Sequence, residues 1–215
     1  MSRSPGSSDG RVILVGAGKF SAEVSDIASV AGYAVAALIE GTDQAQADAS
    51  ATPPVLWIDD QATFEPDLPI APAIGSVERR ALTERLIDEG RRLESIIHPS
   101  AIIAPSADIG PGCVIGPGAI IGARTQIGLG TIVHRGAMIG HHTTIGSHSF
   151  LGPGANLAGS ISIGEQAFIA IGAVVREKLT IGDGVVIGAG AVAVADVADG
   201  MTVVGVPARP MKTTP

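Results

Sequence analysis

Residues 101–196 read, in consecutive sixes without an insertion, AIIAPS ADIGPG CVIGPG AIIGAR TQIGLG TIVHRG AMIGHH TTIGSH SFLGPG ANLAGS ISIGEQ AFIAIG AVVREK LTIGDG VVIGAG AVAVAD. The third place is Ile, Leu or Val in every unit but the last, from Ile103 and Ile109 through to Ile181 and Ile187. The first place is mostly Ala, Thr, Ser or Cys, and the fourth is most often Gly. A fixed short period of this kind is the mark of a parallel β-helix. One branched aliphatic side chain per unit fills the axis, and a small residue lets the chain turn tightly.

The bulk composition agrees with stacked aliphatic ladders. Aromatic residues make up 3% of the 215, whereas Gly occurs 29 times. A net charge of -7 and a pI near 5.1 argue against a nucleic-acid surface, which needs a basic face. Cys113 is the only cysteine, so no intrachain disulfide can form, and its small-residue place in the hexad marks it as a core filler. Gly136 to Gly164 contains no Asp, Glu, Lys or Arg. It is nevertheless rich in His, Ser, Thr and Gly, and its apolar places recur every six, so no membrane span is expected. The opening MSRSPGSSDG, residues 1–10, lacks an apolar h-region and reads as a disordered tail. Together with the absence of cysteine pairs, this leads us to expect a cytoplasmic protein.

Ahead of the repeat, residues 11–95 alternate strand and helix. RVILVGAG (11–18) is an apolar run ending in glycines, as a buried parallel strand entering a helix would be. The next segment carries Phe20, Val24, Ile27, Ala28 and Ala31 at helical spacing. AVAALIE then reads as a strand ending at Glu40, followed by VLWIDD, the strand-like IAPAIGS and the charged helix VERRALTERLIDEGRR. This is half of a doubly wound, Rossmann-like α/β fold. GAGKFS has the form G-x-G-x-x-S, with Ser21 where a dinucleotide fingerprint has its third Gly, and Glu40 stands where such a fold grips a ribose hydroxyl. Two readings of this turn stand: a nucleotide or nucleotide-sugar phosphate at the helix N-terminus, or a tight turn without a ligand.

All five histidines follow residue 97. His98 sits in IIHPSA, where the α/β module meets the β-helix expected over residues 96–215. In the hexad frame His134 takes the fourth place, His141 the fifth, and His142 and His148 the sixth. None holds the inward aliphatic place, so all four rings are expected to project outward near the corners. An outward imidazole on a rod with little other chemistry is a candidate general base. The alternative is a set of solvated corner residues.

The hexads, GAGKFSAEVSDIASVAGY, the AIGSVERR turn, IIHPSA and the closing GVPAR together resemble one family over residues 11 to about 212. These are the bacterial sugar acetyltransferases that include UDP-N-acetylbacillosamine N-acetyltransferases and NeuD-type sialic-acid O-acetyltransferases. The resemblance implies a left-handed coil, against the usual right-handed crossover. It also implies an acetyl-CoA co-substrate and a homotrimer with sites between neighbouring β-helices. MIGHHTTIG matches the family's catalytic segment and places the base at His141, with His142 where relatives carry Glu or Asp. Acetyl-CoA contacts carry over to Phe150, Gly159, Ile171 and Ala189, Phe150 replacing a histidine of some relatives. Substrate contacts carry over to Gly16, Ala17, Gly18, Lys19, Phe20, Glu40 and Gly75. Lys19, Phe20 and Ser21 depart from the GASGHG or GAGGHG of relatives.

The expected function is therefore acetyl-CoA-dependent acetylation of the amine of a nucleotide-linked sugar, His141 removing the proton as the amine attacks the thioester directly. Three alternatives stand beside it: O-acetylation of a sialic-acid-like sugar, a γ-carbonic-anhydrase-like zinc enzyme, and a non-catalytic nucleotide-sugar-binding scaffold. No metal is assigned. His134, His141 and His148 are seven apart, so in a six-residue frame they step onto successive faces and cannot converge within one chain.

Overall fold

The computed structural model describes residues 10–60, 65–76 and 79–211. Most of the expected N-terminal tail, and Val77 and Glu78 at the start of the expected charged helix, lie outside them. The chain divides into two compact units, one ending at Pro99 and the other beginning at Ser100.

In the first unit the expected elements form in order: β1 (Arg11–Val15), α1 (Lys19–Val30), β2 (Ala34–Glu40), β3 (Val55–Trp57), β4 (Ile70–Pro72) and α2 (Arg79–Asp88). The four strands are all parallel, in the order β3-β2-β1-β4. Val12 to Val15 are buried without interruption, which is why β1 reads as a continuous apolar run: a central parallel strand is covered on both faces. Helix α1 buries Ser21, Val24, Ile27 and Ala28. The strand order reverses at β1, with β2 on one side and β4 on the other. The carboxyl ends of β1 and β4 therefore flank the crevice where open α/β sheets take their ligands.

The second unit is a left-handed parallel β-helix. Each hexad supplies a two-residue strand from its second and third places, and strands pair in parallel with those 18 residues away, as Gln126 with Thr144 and Ile127 with Ile145. Three faces result. The first carries Ile102, Ile120, Met138, Asn156, Val174 and Val192 outward, the second Asp108, Gln126, Thr144, Ser162 and Thr180, and the third Val114, Ile132, Phe150, Phe168 and Val186. From Ile115 onward every third-place side chain is buried, each stabilising the rod by ~1.5–3 kcal/mol.

The first place is buried too, including polar residues. Thr125, Thr131 and Ser149 hydroxyls donate to the carbonyls of Gly140, Gly146 and Gly164 in the next coil at 2.9, 3.1 and 2.9 Å. Cys113 fills the same place, its thiol donating to Gly128 O at 3.2 Å. These bonds make a hydroxyl as acceptable inside the coil as Ala.

Small residues at the fourth place are not what turns the chain. The left-handed backbone falls at the sixth place, for example Gly118 at φ 66° and Gly136 at φ 64°. A fourth-place Gly is needed because the next coil lies against it: a Cβ on Gly116 would stand 2.7 Å from Arg135 N, and one on Gly122 2.7 Å from His141 N. At the C-terminal end Thr202–Val204 continues the third face beside Val186 and Ile187, and Arg209–Pro210 pairs back antiparallel to Val203 and Val204. That return strand covers an edge that would otherwise offer unpaired backbone groups.

Candidate active site

The corners of the β-helix separate the histidines. His134 lies at the corner from the third face to the first, His141 and His142 at the corner from the first to the second, and His148 at the corner from the second to the third. The expectation of four outward rings holds for the middle two, which are exposed, and fails for His134 and His148, which are buried. His134 Nδ1 accepts the Arg135 N–H at 3.1 Å, and its ring packs edge-on against Phe150 with centroids 5.7 Å apart. A nitrogen that accepts the next residue's backbone N–H is not available to take a substrate proton. The His148 ring folds over Gly130, where an added Cβ would stand 2.7 Å from Nδ1. Among the described residues no group of three or more His, Cys, Asp or Glu is arranged to hold a metal ion.

At the middle corner, His141 Nδ1 and His142 Nδ1 lie 3.0 Å apart, and the rings meet almost perpendicularly, at 88°. Two Nδ1 atoms at this distance form a hydrogen bond only if one is protonated and the other is not. When His141 donates, its Nε2 keeps a lone pair directed away from His142, and His142 carries its proton on Nε2. His142 reaches this position from a left-handed backbone, φ 55°.

The other side of the His141 ring faces the next coil. A Cβ on Gly159 would stand 2.7 Å from His141 Cε1 and 2.9 Å from Nε2, so only glycine leaves room for the imidazole there. Ser160 N–H and Ala158 N–H donate to His141 O and Val175 O, whereas the Gly159 N–H makes no hydrogen bond among the described residues. A free donor thus lies on the coil that packs against the His141 ring.

Of the other positions expected to contact the co-substrate, Ile171 and Ala189 share the third-to-first corner, one coil apart, and Phe150 projects from the third face. Phe150 stacks on Phe168 with centroids at 4.8 Å. Within one chain, then, only Gly159 shares a corner with the histidine pair.

In the first unit the expected substrate residues gather at the carboxyl ends of β1, β2 and β4. Gly16 has φ 124°, and a side chain there would collide with Ile74 and stand 2.9 Å from Ala73 O, so the β1 turn and the loop holding Gly75 are pressed together. Gly18 caps α1 without a side-chain bond, and a Cβ on it would meet nothing within 4 Å. Gly18 and Lys19 are exposed, and Ala17 and Phe20 half-buried. Ser21 turns inward, its hydroxyl donating to Gly18 O at 2.7 Å.

Glu40 is buried, and its Oε1 accepts the Thr42 hydroxyl at 2.6 Å and the N–H groups of Gly41, Thr42 and Asp43 at 3.0, 2.7 and 3.2 Å. Burial pushes this carboxyl up, but those four hydrogen bonds outweigh it and hold the pKa below the ordinary glutamate value. Sequence reasoning missed Arg79, the first residue of α2. It is buried, and one guanidinium nitrogen donates to Ile74 O at 3.0 Å and Ser76 O at 3.3 Å, fixing the loop around Gly75.

Residues 160–193 match the family profile described as bacterial transferase hexapeptide (six repeats). No curated protein sequence matches the chain. Among solved structures, the H141N mutant of perosamine N-acetyltransferase from Caulobacter crescentus, in complex with CoA and GDP-perosamine, is 34% identical. The match covers 95% of this chain and 98% of that one, with a TM-score of 0.87. The acetyltransferase domain of PglB from Neisseria gonorrhoeae, in complex with acetyl coenzyme A, is 33% identical over 94% of this chain and 99% of that one, TM-score 0.85. The chain belongs to the bacterial sugar acetyltransferase family. WeeI from Acinetobacter baumannii, at 27% identity, 93% and 99% coverage and a TM-score of 0.80, has the same fold. This acetyltransferase has, among its described residues, no helix long and apolar enough to cross a membrane.

Proposed function

We propose that this acyltransferase moves the acetyl group of acetyl-CoA to the amine of a nucleotide-linked sugar, with His141 as general base. The observation that carries the reading is the exposed His141–His142 pair lying against Gly159. His141 Nε2 takes a proton from the attacking nitrogen, which adds to the thioester carbonyl. The tetrahedral intermediate collapses with cleavage of the C–S bond, giving the amide and CoA, whose sulfur ends protonated. The Gly159 N–H, which makes no hydrogen bond among the described residues, is the donor we assign to the oxyanion. No covalent acyl-enzyme intervenes. His142 does for His141 what a carboxylate does in relatives: as a neutral acceptor it holds the Nδ1 proton and leaves Nε2 free.

Glycines and loops at the carboxyl ends of β1, β2 and β4 support binding of the nucleotide there, at the ligand crevice of a parallel sheet. The relatives crystallised with GDP-perosamine and CoA favour an amine acceptor over a sialic-acid hydroxyl. A homotrimer is supported by the exposed apolar row Ile102, Ile120, Met138 and Val174 on the first face, which a neighbouring copy would cover. Both substrates belong to the cytoplasm, where we place the reaction. Incubation with acetyl-CoA and a panel of UDP-, GDP- and dTDP-linked amino sugars, following thiol release and product mass, tests the reading. CoA release with none of the amino sugars, and acetylation of a sialic-acid hydroxyl instead, would replace it.

A further inference from the structure

The three corners of the β-helix solve the same backbone problem with different residues. At the third-to-first corner every left-handed position is glycine: Gly118, Gly136, Gly154, Gly172 and Gly190. At the first-to-second corner none is. There Arg124, His142, Ser160 and Lys178 adopt φ of 56°, 55°, 62° and 60°. A side chain in this region is disfavoured, and glycine at all five positions of the third-to-first corner shows that the coil does not require one; the second-to-third corner is mixed, with Gly112, Gly130 and Gly184 beside His148 and Gln166. Backbone strain kept where the same fold elsewhere avoids it points to use of the side chain.

Three of the four residues of this column, Arg124, His142 and Lys178, are basic, and Ser160 is neutral. Each is one coil, 18 residues, from the next, with the histidine pair between Arg124 and Lys178. Arg176, at the fourth place of the Lys178 hexad, adds a third cation. Arg124, Arg176 and Lys178 are exposed, and their side chains make no ion pair or hydrogen bond among the described residues. Glu177 stands between the last two and is exposed as well. Acidic side chains near the end of the coil serve the backbone instead: Asp183 and Asp199 at the second-to-third corner accept the N–H groups of Glu165 at 2.7 Å and of Asp183 at 3.0 Å, and Asp196, one coil beyond Lys178, accepts that of Thr180 at 2.8 Å.

We propose that Arg124 and Lys178 are anion-docking residues that bind phosphate groups on either side of the histidine pair. The inference rests on the proposed function, in which both substrates carry phosphates. Guanidinium and ammonium groups recognise phosphate by charge-assisted hydrogen bonds, and a row of them on an otherwise acidic protein concentrates anions at the base. The phosphates belong either to CoA or to the nucleotide of the acceptor, and the two sources are separable.

The test uses the full chain with Arg124→Gly, Lys178→Gly and the double substitution. Melting temperature is measured, together with calorimetric affinity for CoA, GDP, UDP and dTDP at low and high NaCl. Glycine relieves the strained backbone, so the expected melting temperature is unchanged or higher. Affinity for one phosphate class is expected to fall ~10-fold in the double variant, with a weaker dependence on salt. Weakening confined to CoA assigns the column to the co-substrate, and weakening confined to one nucleotide assigns it to the acceptor. Wild-type affinities retained within twofold overturn the proposal while leaving the proposed function standing. A melting temperature lowered in every variant also overturns it, because the side chains would then serve the fold. A wild-type protein that binds none of the four probes overturns the proposed function itself.

Discussion

The imidazole of His141 rests on the bare α-carbon of Gly159, and a methyl group added there would stand 2.7 Å from Cε1 and 2.9 Å from Nε2. Gly159 is not in a left-handed conformation, so this glycine is required by the ring and not by the backbone. Gly159→Ala should therefore fold normally and swing His141 away from its position. A displacement of this size costs ~10²-fold in turnover. Steady-state kinetics beside a thermal melt check it: an active Ala variant with an unmoved melting temperature would show that the ring position does not matter.

His141→Ala removes the proposed base outright and should lower kcat by ~10²–10⁴-fold while leaving the coil intact, since the side chain is exposed. Turnover near wild type would move the role to His142 or to a base outside this corner.

The histidine pair makes a sharper prediction at His142. Its Nδ1 lies 3.0 Å from that of His141 and needs only to accept. His142→Glu keeps an acceptor and adds charge, so activity should be kept or raised, with the alkaline limb of the pH–rate profile moved. His142→Phe has the ring without the acceptor and should lose kcat with little change in KM. Equal, deep losses in both variants would make the His142 imidazole itself essential.

How much of this was readable beforehand differs between the ladder and the corners. The third-place aliphatics Ile115 to Ile187 are legible because one inward position per hexad leaves a strict period, and β1 is legible because a covered parallel strand is apolar throughout. Corner side chains obey no such rule. His134 and His148 share their hexad places with exposed residues such as Arg176 and Lys178, and what buries them is tertiary: Phe150 one coil on for His134, and the bare Gly130 one coil back for His148. Likewise the fourth-place glycines look like turn formers in sequence, whereas the close approach of the next coil, visible only in three dimensions, is what selects them. Arg79 was unreadable because its partners are loop carbonyls, which carry no sequence signature.

The inward ladder gives a stability prediction. Ile145 is fully buried between Ile127 and Ile163 of the adjoining coils. Ile145→Asp would bury an unpaired carboxyl among aliphatic side chains, at a cost of at least several kcal/mol. Insoluble or unfolded protein is expected, and a soluble, active variant in sedimentation and kinetic assays would show the register of the coil to be wrong.

Glu40 joins stability, pH and substrate recognition at one residue. Its Oε1 alone accepts the four hydrogen bonds that shape residues 41–43. With the folded pKa held below the ordinary glutamate value of 4.5, the ionised carboxylate stabilises the fold fully above that value. The contribution is then lost as the pH falls through the lower folded value. Glu40→Ala should cost ~1–3 kcal/mol at neutral pH, because several backbone N–H groups lose a charged partner. The difference in stability between wild type and variant should shrink at acid pH. Glu40→Gln separates the two roles. The amide oxygen still accepts from the loop, so the melting temperature should fall less than for Ala. If Glu40 also grips a ribose hydroxyl, the Gln variant should nevertheless raise KM for the nucleotide-sugar and leave KM for acetyl-CoA alone. An unchanged nucleotide-sugar KM in Glu40→Gln would leave the carboxylate with the loop as its only task.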